Sequence, residues 1–167
     1  MSYSVIVKED CATCQLVVPV IKQLEEDDEL AIYSQDNVQF PTGVSVIDDT
    51  QLEYSWRRRI ETVPTLIKFD DNGEELARVV GWEKSEWQAL TGKPLEFDLP
   101  DFRPGCGSKS VDPGMPEKLA ARFDRDKLHP GSSLYRRKKI IWRPALTGVG
   151  PMVCQWCPQQ LSVLCGC

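Results

Sequence analysis

The chain has 167 residues, 41% of them hydrophobic and 27% charged, with a net charge of −5 at pH 7. That balance suits a globular protein, and no apolar run approaches the roughly 20 residues that a membrane-spanning helix needs. Met1-Ser2-Tyr3-Ser4 leads straight into a strand-like run without a basic region or a leader-like apolar core, so the sequence reads as a soluble, cytoplasmic protein.

Charge is unevenly spread. Residues 1–93 carry 9 Lys/Arg against 18 Asp/Glu, and residues 94–167 carry 11 against 7, with no acid after Asp126. Most of the twelve prolines and five of the seven cysteines also fall after residue 93. A boundary near Gly92-Lys93-Pro94 is therefore expected. It would separate a first domain, residues 1–93, from an extension, residues 94–167, that binds metal or is partly disordered.

In chain order, Val5-Ile6-Val7 is short and β-branched, as a buried strand should be. Leu16, Val17, Val20, Ile21 and Leu24 repeat at helical spacing from Cys14 to Glu26, and Asp10 is a candidate cap for that helix. Pro19 lies inside it, removes one backbone hydrogen bond and predicts a kink. Leu30 to Tyr33 reads as a second strand. Val44 to Ile47 reads as a short extra one, after a Pro-Thr-Gly turn. Asp48 to Arg59 has helical spacing, with Leu52, Trp56 and Ile60 along one side. "VPTLIKF" and "EELARVVGW" flank Asp70-Asp71-Asn72-Gly73, whose Asn-Gly pair is a strong hairpin signal. Glu83 to Leu90 predicts a helix that buries Trp87 and Leu90. Two parallel strands joined by a helix and followed by a hairpin imply an α/β fold, a mixed sheet with helices on its faces. Beyond residue 94, "DFRPGCGSKSVDPGMP" is rich in turn formers and reads as a loop. Glu117 to Leu128 follows as a helix and Ile140-Ile141-Trp142 as a strand.

Cys11-Ala12-Thr13-Cys14 stands between the first strand and the first helix. A cysteine at a helix start meets the partial positive charge of the helix end, which favours thiolate. A second cysteine one turn later lies beside the first, so a disulfide between them forms or breaks with little backbone movement. In a cytosolic chain, catalysis or metal binding is a more frequent use of such a pair than a structural bridge. An exposed Cys11 would attack a substrate disulfide, and a shielded Cys14 would resolve the mixed disulfide.

Over residues 1–93 the sequence resembles the thioredoxin superfamily. Cys11-Ala12-Thr13-Cys14 matches the active-site motif in position, and Pro19 matches the proline of the active-site helix. Thr62-Val63-Pro64-Thr65 resembles the cis-proline segment, while Asn72-Gly73-Glu74 and Gly81 match the hairpin that follows and its closing glycine. The resemblance implies a thioredoxin-like fold and exchange of dithiol for disulfide with protein or small-molecule thiol partners and an electron donor. It implies Cys11 as nucleophile, Cys14 as resolving thiol, and Val63 with cis Pro64 as the platform for substrate backbone. No cofactor is required by that chemistry. The motif departs from the Trp-Cys-Gly-Pro-Cys of thioredoxins proper. Val5 stands where the family keeps a buried carboxylate, and the N-terminal strand and helix of full thioredoxins are missing. Glu9 and Asp10 oppose thiolate at Cys11, while the helix end and Thr13 favour it.

Cys154, Cys157, Cys165 and Cys167 form Cys-x2-Cys-x7-Cys-x-Cys. Three uses stand open: a zinc site of four thiolates that staples the tail, a dithiol that exchanges with Cys11–Cys14, or no specific use. "GCGSKS", Gly105 to Ser110, is close to a phosphate-binding loop but has Ser108 where the motif needs glycine, and is not read as one. Cys106 within it is a candidate reactive thiol that nothing in the sequence ties to Cys11. His129 fits a helix end. Arg136 to Lys139 reads as a solvated basic run and not as a nucleic-acid site. The rival to the oxidoreductase is a thioredoxin-like binding or adaptor module with a zinc-stabilised C-terminal tail.

Overall fold

Ser2–Val7, strand β1, is almost wholly buried, and its β-branched side chains make it the central strand. A computed structural model describes residues 1–27 and 30–123. The four C-terminal cysteines, His129, the basic run 136–139 and the expected strand 140–142 lie outside the described residues.

The helix expected after β1 is two helices, α1 (Ala12–Leu16) and α2 (Val18–Asp27), that meet at Val17. Pro19 sits in the first turn of α2, where its missing N–H costs nothing. The break expected from Pro19 is there, moved to the joint. Val17, Val20, Ile21 and Leu24 are buried, which turns one face of α2 onto the sheet.

Strands β2 (Leu30–Ser34) and β3 (Val46–Asp48) continue the sheet in parallel, β2 pairing directly with β1. Helix α3 is a single short piece, Glu53–Arg57. Asp49, expected inside that helix, instead precedes it: its carboxylate accepts from the Tyr54 and Ser55 amides and the Ser55 hydroxyl. Leu52, left-handed at φ 60°, makes the tight entry. Strands β4 (Thr62–Val63), β5 (Thr65–Phe69) and β6 (Glu75–Val80) follow, with β5 antiparallel to both β1 and β6. The main sheet runs β3-β2-β1-β5-β6. This is the mixed α/β sheet that the sequence implied. Trp82–Glu83 is a two-residue strand, β7, whose Glu83 caps α4 (Lys84–Thr91).

The chain does not leave this body at residue 93. Leu95 is fully buried in the same core as Val5, Ile21, Trp82 and Trp87. The stretch expected as a loop holds two short strands, β8 (Phe102–Arg103) on β7 and β9 (Cys106–Gly107) on β4. A 3-10 turn, Lys109–Val111, and helix α5 (Met115–Arg122) complete it. Helix α5 starts two residues before the sequence suggested, and its Leu119 packs on Leu52 and Trp56. Residues 94–123 are therefore part of the first domain's packing and not a separate extension.

Candidate active site

Cys11 lies between β1 and α1, and it caps α1 itself: its Sγ accepts from the Cys14 amide at 3.3 Å. Asp10, the expected cap, has its own amide donating to the Asp36 carboxylate instead. One helical turn on, Cys14 is fully buried. Facing them is β4, where Cys11 Sγ stands 3.6 Å from the Val63 carbonyl oxygen. The Val63–Pro64 peptide is cis. Thus Cys11, Cys14, Val63 and Pro64, picked from distant parts of the sequence, come together.

The electrostatics separate the two thiols. The Cys14 side chain, followed by Cys106 and the amides of Cys14 and Thr13, outweighs burial and holds Cys11 down to about 5. Burial first, and then the neighbouring Cys11, push the Cys14 thiol far above the ordinary range. At neutral pH Cys11 is a thiolate and Cys14 a thiol. The opposition between helix end and local acids, undecided in the sequence, resolves downward for Cys11.

Two features correct the sequence reading. Cys11 is not exposed: only 3% of it meets solvent. The cover is β9, whose Cys106 pairs with Val63 and whose Gly107 pairs with Thr62. Cys106 is the site residue that sequence reasoning missed, its Sγ lying 2.7 Å from Cys11 Sγ. That is longer than the roughly 2.05 Å of a disulfide, and no disulfide joins Cys11, Cys14 or Cys106. The one signal available was the pair of glycines flanking Cys106, since a strand that must lie flat on its neighbour favours residues without a Cβ. Gly105 bears this out: a Cβ there would lie 2.6 Å from the Val63 carbonyl oxygen and closer still to Thr62 Cγ2.

The segment is pinned on both sides of Cys106. Thr13 Oγ1 donates to the Pro104 carbonyl at 2.7 Å, and the Ser108 amide donates to the Glu61 carbonyl at 2.9 Å. Gln35, buried, donates through Nε2 to Ser108 Oγ and Ser55 Oγ, both at 2.7 Å, and accepts from the Lys109 amide at 3.0 Å. Ser110 Oγ donates to the Ile60 carbonyl at 2.6 Å. These hydroxyls and amides are engaged by protein, so "GCGSKS" is a docking strap and no phosphate cradle. Val5 is buried in β1, at the place the resemblance gives to a carboxylate.

A cysteine pair at the head of the first helix, a cis-proline strand against it and the sheet order β3-β2-β1-β5-β6 belong to one architecture. The fold is thioredoxin-like. No protein-family model and no curated protein matches the chain. Among solved structures it is similar to reduced thioredoxin from Schistosoma mansoni, at 21% identity over 56% of this chain and 78% of that one, TM-score 0.41. It is similar to StoA from Bacillus subtilis, at 14% identity over 55% and 81%, TM-score 0.42. It is also similar to a DsbE-type thiol:disulfide interchange protein from Chlorobium tepidum, at 18% identity over 55% and 74%, TM-score 0.45. Any role for these side chains has to come from their own geometry.

Among the described residues no helix is long and apolar enough to cross a membrane. Within the same residues no group of three or more His, Cys, Asp or Glu side chains is set to hold a metal ion.

Proposed function

We propose that the protein exchanges dithiol for disulfide with thiol-containing partners, with Cys11 as nucleophile and Cys14 as resolving thiol. The single observation behind this reading is the placement of the two sulfurs. Cys11 Sγ, at the head of α1, accepts from the Cys14 amide and faces the strand that ends at cis Pro64, and Cys14 is buried one turn behind it. Cys11 is held as a thiolate at about 5 beside Cys14, which is held as a thiol. The thiolate is the nucleophile in such exchange. Cys11 Sγ attacks one sulfur of a partner disulfide, the partner's S–S bond breaks, and the other sulfur leaves as thiolate. Cys14 then gives its proton to that thiolate and attacks Cys11 Sγ. The Cys11–Cys14 disulfide forms and the partner's second sulfur is released, so two electrons have passed from the pair to the partner. With Val5 in the carboxylate position, the leaving thiolate serves as the base for Cys14.

The Val63 backbone and Pro64 act in this reading as the platform on which an extended substrate pairs. β9 occupies that platform, and this observation favours a second reading, a thioredoxin-like binding module whose cysteines do not turn over. Reduction of insulin disulfides by the natural chain and by Cys11→Ser separates the two. Turnover that disappears in Cys11→Ser supports the exchange reading; no turnover in the natural chain, or turnover unchanged in Cys11→Ser, sinks it. Zinc bound by Cys154, Cys157, Cys165 and Cys167 remains a proposal from sequence, tested by metal content of the full chain before and after chelation.

A further inference from the structure

Exchange between Cys11 and Cys14 leaves Cys106 without a task, although its sulfur is in contact with the nucleophile. Its placement is built and not incidental. The antiparallel ladder sets Cys106 opposite Val63, the residue before cis Pro64. Gly105 lets the backbones approach, and Gly81, at φ +77°, accepts the strap closely from the other side, its absent Cβ lying 3.0 Å from the Gly105 nitrogen. Pairing of Arg103 with Trp82 before the cysteine, and the Gln35–Ser108 bond after it, fix the segment at both ends. Cys14 is fully buried, Cys11 nearly so, and Cys106 is half-buried. Of the three residues Cys106 is the most open to a solute disulfide.

We propose that Cys106 is a third redox residue, which holds the place of a substrate thiol, forms a disulfide with Cys11 and relays electrons from the buried pair to a small solute disulfide. The proposal rests on Cys11 and Cys14 being the exchanging pair. The steps balance as follows for glutathione disulfide. Cys106 gives its proton to solvent as it attacks one glutathione sulfur, and the S–S bond breaks. The released glutathione thiolate takes up a proton from solvent in turn, and Cys11 stays a thiolate throughout. The Cys11 thiolate then attacks Cys106 Sγ, expels the second glutathione thiolate and makes the Cys11–Cys106 disulfide. Cys14 gives its proton to that second thiolate and attacks Cys11 Sγ, and Cys106 leaves as thiolate. Two electrons and two protons have moved to two molecules of glutathione, and the buried pair is oxidised. Burial, and then the neighbouring Cys11, hold the Cys106 thiol above its ordinary range, so its attack on the solute disulfide should quicken as pH rises.

The test uses the full chain carrying Cys14→Ser, which removes the resolving thiol, treated with glutathione disulfide, quenched by alkylation and mapped by peptide mass. A peptide pair joined through Cys11 and Cys106 is expected. A lasting glutathione adduct on Cys11 with Cys106 alkylated, or a link from Cys11 to a tail cysteine, overturns the proposal. In parallel, Cys106→Ala and Cys106→Ser in the otherwise natural chain should each slow consumption of glutathione disulfide at least tenfold, and an unchanged rate overturns it. If the natural chain exchanges normally while these results fail, only the relay is lost. If neither the natural chain nor Cys11→Ser exchanges with any disulfide, the exchange reading itself falls.

Discussion

Val63 and Cys106 are partners across an antiparallel ladder, so the edge that precedes cis Pro64 is already paired by the chain's own strand. The pairing closes the site over Cys11, sets a third sulfur 2.7 Å from it and links the site to the core through Ser108 and Gln35. Each consequence is open to measurement.

Cys11 should ionise near pH 5 in the reduced protein. Thiolate absorbance at 240 nm should rise with a midpoint there and be lost in Cys11→Ser, with no further step from Cys14 below pH 9. Cys11 keeps its proton in the unfolded chain up to about 8.5. The stabilisation it contributes is therefore full above that value and is lost as pH falls through 5. A midpoint at 8 or above would remove the case for a prepared nucleophile.

Gly105→Ala forces a Cβ against Thr62 and the Val63 carbonyl. Overpacking of this kind costs about 1–3 kcal/mol. The strap should lift, so that alkylation of Cys11 by iodoacetamide speeds up at least tenfold. Gly107→Ala is the control, because a Cβ there meets nothing within 4 Å. Equal effects from the two variants would mean that the close approach at Gly105 is not what seats the strap.

Gln35→Ala removes two donated bonds and one accepted bond from a buried cluster. A buried polar group left without a partner costs about 1–3 kcal/mol, and the half-buried Lys109 amide loses its acceptor. Urea unfolding should show a loss of that size or more, and amide exchange at residues 106–110 should accelerate ahead of exchange in β1. Exchange that accelerates uniformly would mean the cluster does not anchor the strap in particular.

Asp49 acts with the opposite sign to Cys11. Burial raises its carboxyl from 3.8 to about 6 even though it accepts from Ser55 and from the Tyr54 and Ser55 amides. Between those values the folded state keeps a proton that the unfolded chain has released. The contribution of this group to stability therefore falls as pH rises from about 4 to 6. Cys11 opposes this slope above pH 5, so the comparison is made in Cys11→Ser: its urea midpoints at pH 4 and 6.5 should show the fall, and adding Asp49→Asn should flatten it. A Cys11→Ser chain without the slope would place the Asp49 titration at an ordinary carboxylate value.

Local patterns made much of the site legible. The β-branched run at Val5-Ile6-Val7, the helical repeat behind Cys14, the turn at Asn72-Gly73 and the Val63-Pro64 segment are signals contained within a few residues each. They coincide with β1, the α1–α2 pair, the β5–β6 hairpin and the strand against Cys11. The helical spacing of Leu52, Trp56 and Ile60 does not extend to a helix from Asp48, since α3 starts at Glu53. Burial of the Asp49 carboxylate against the Tyr54 and Ser55 amides instead makes it a cap outside the helix.

By itself the sequence determined that a cysteine pair stands at the junction of a buried strand and an amphipathic helix; the Val63-Pro64 partner strand was implied only by the resemblance. The first is local chemistry, written in residue type and spacing. Only the tertiary structure decided which sulfur accompanies Cys11 and whether Cys11 meets solvent. Cys106 lies 95 positions from Cys11 in a stretch whose glycines and serines carry no periodicity. Its place is set by a two-residue ladder and by hydrogen bonds to Thr13, Gln35 and Glu61. Such contacts exist only once the core has brought the strap and β4 together.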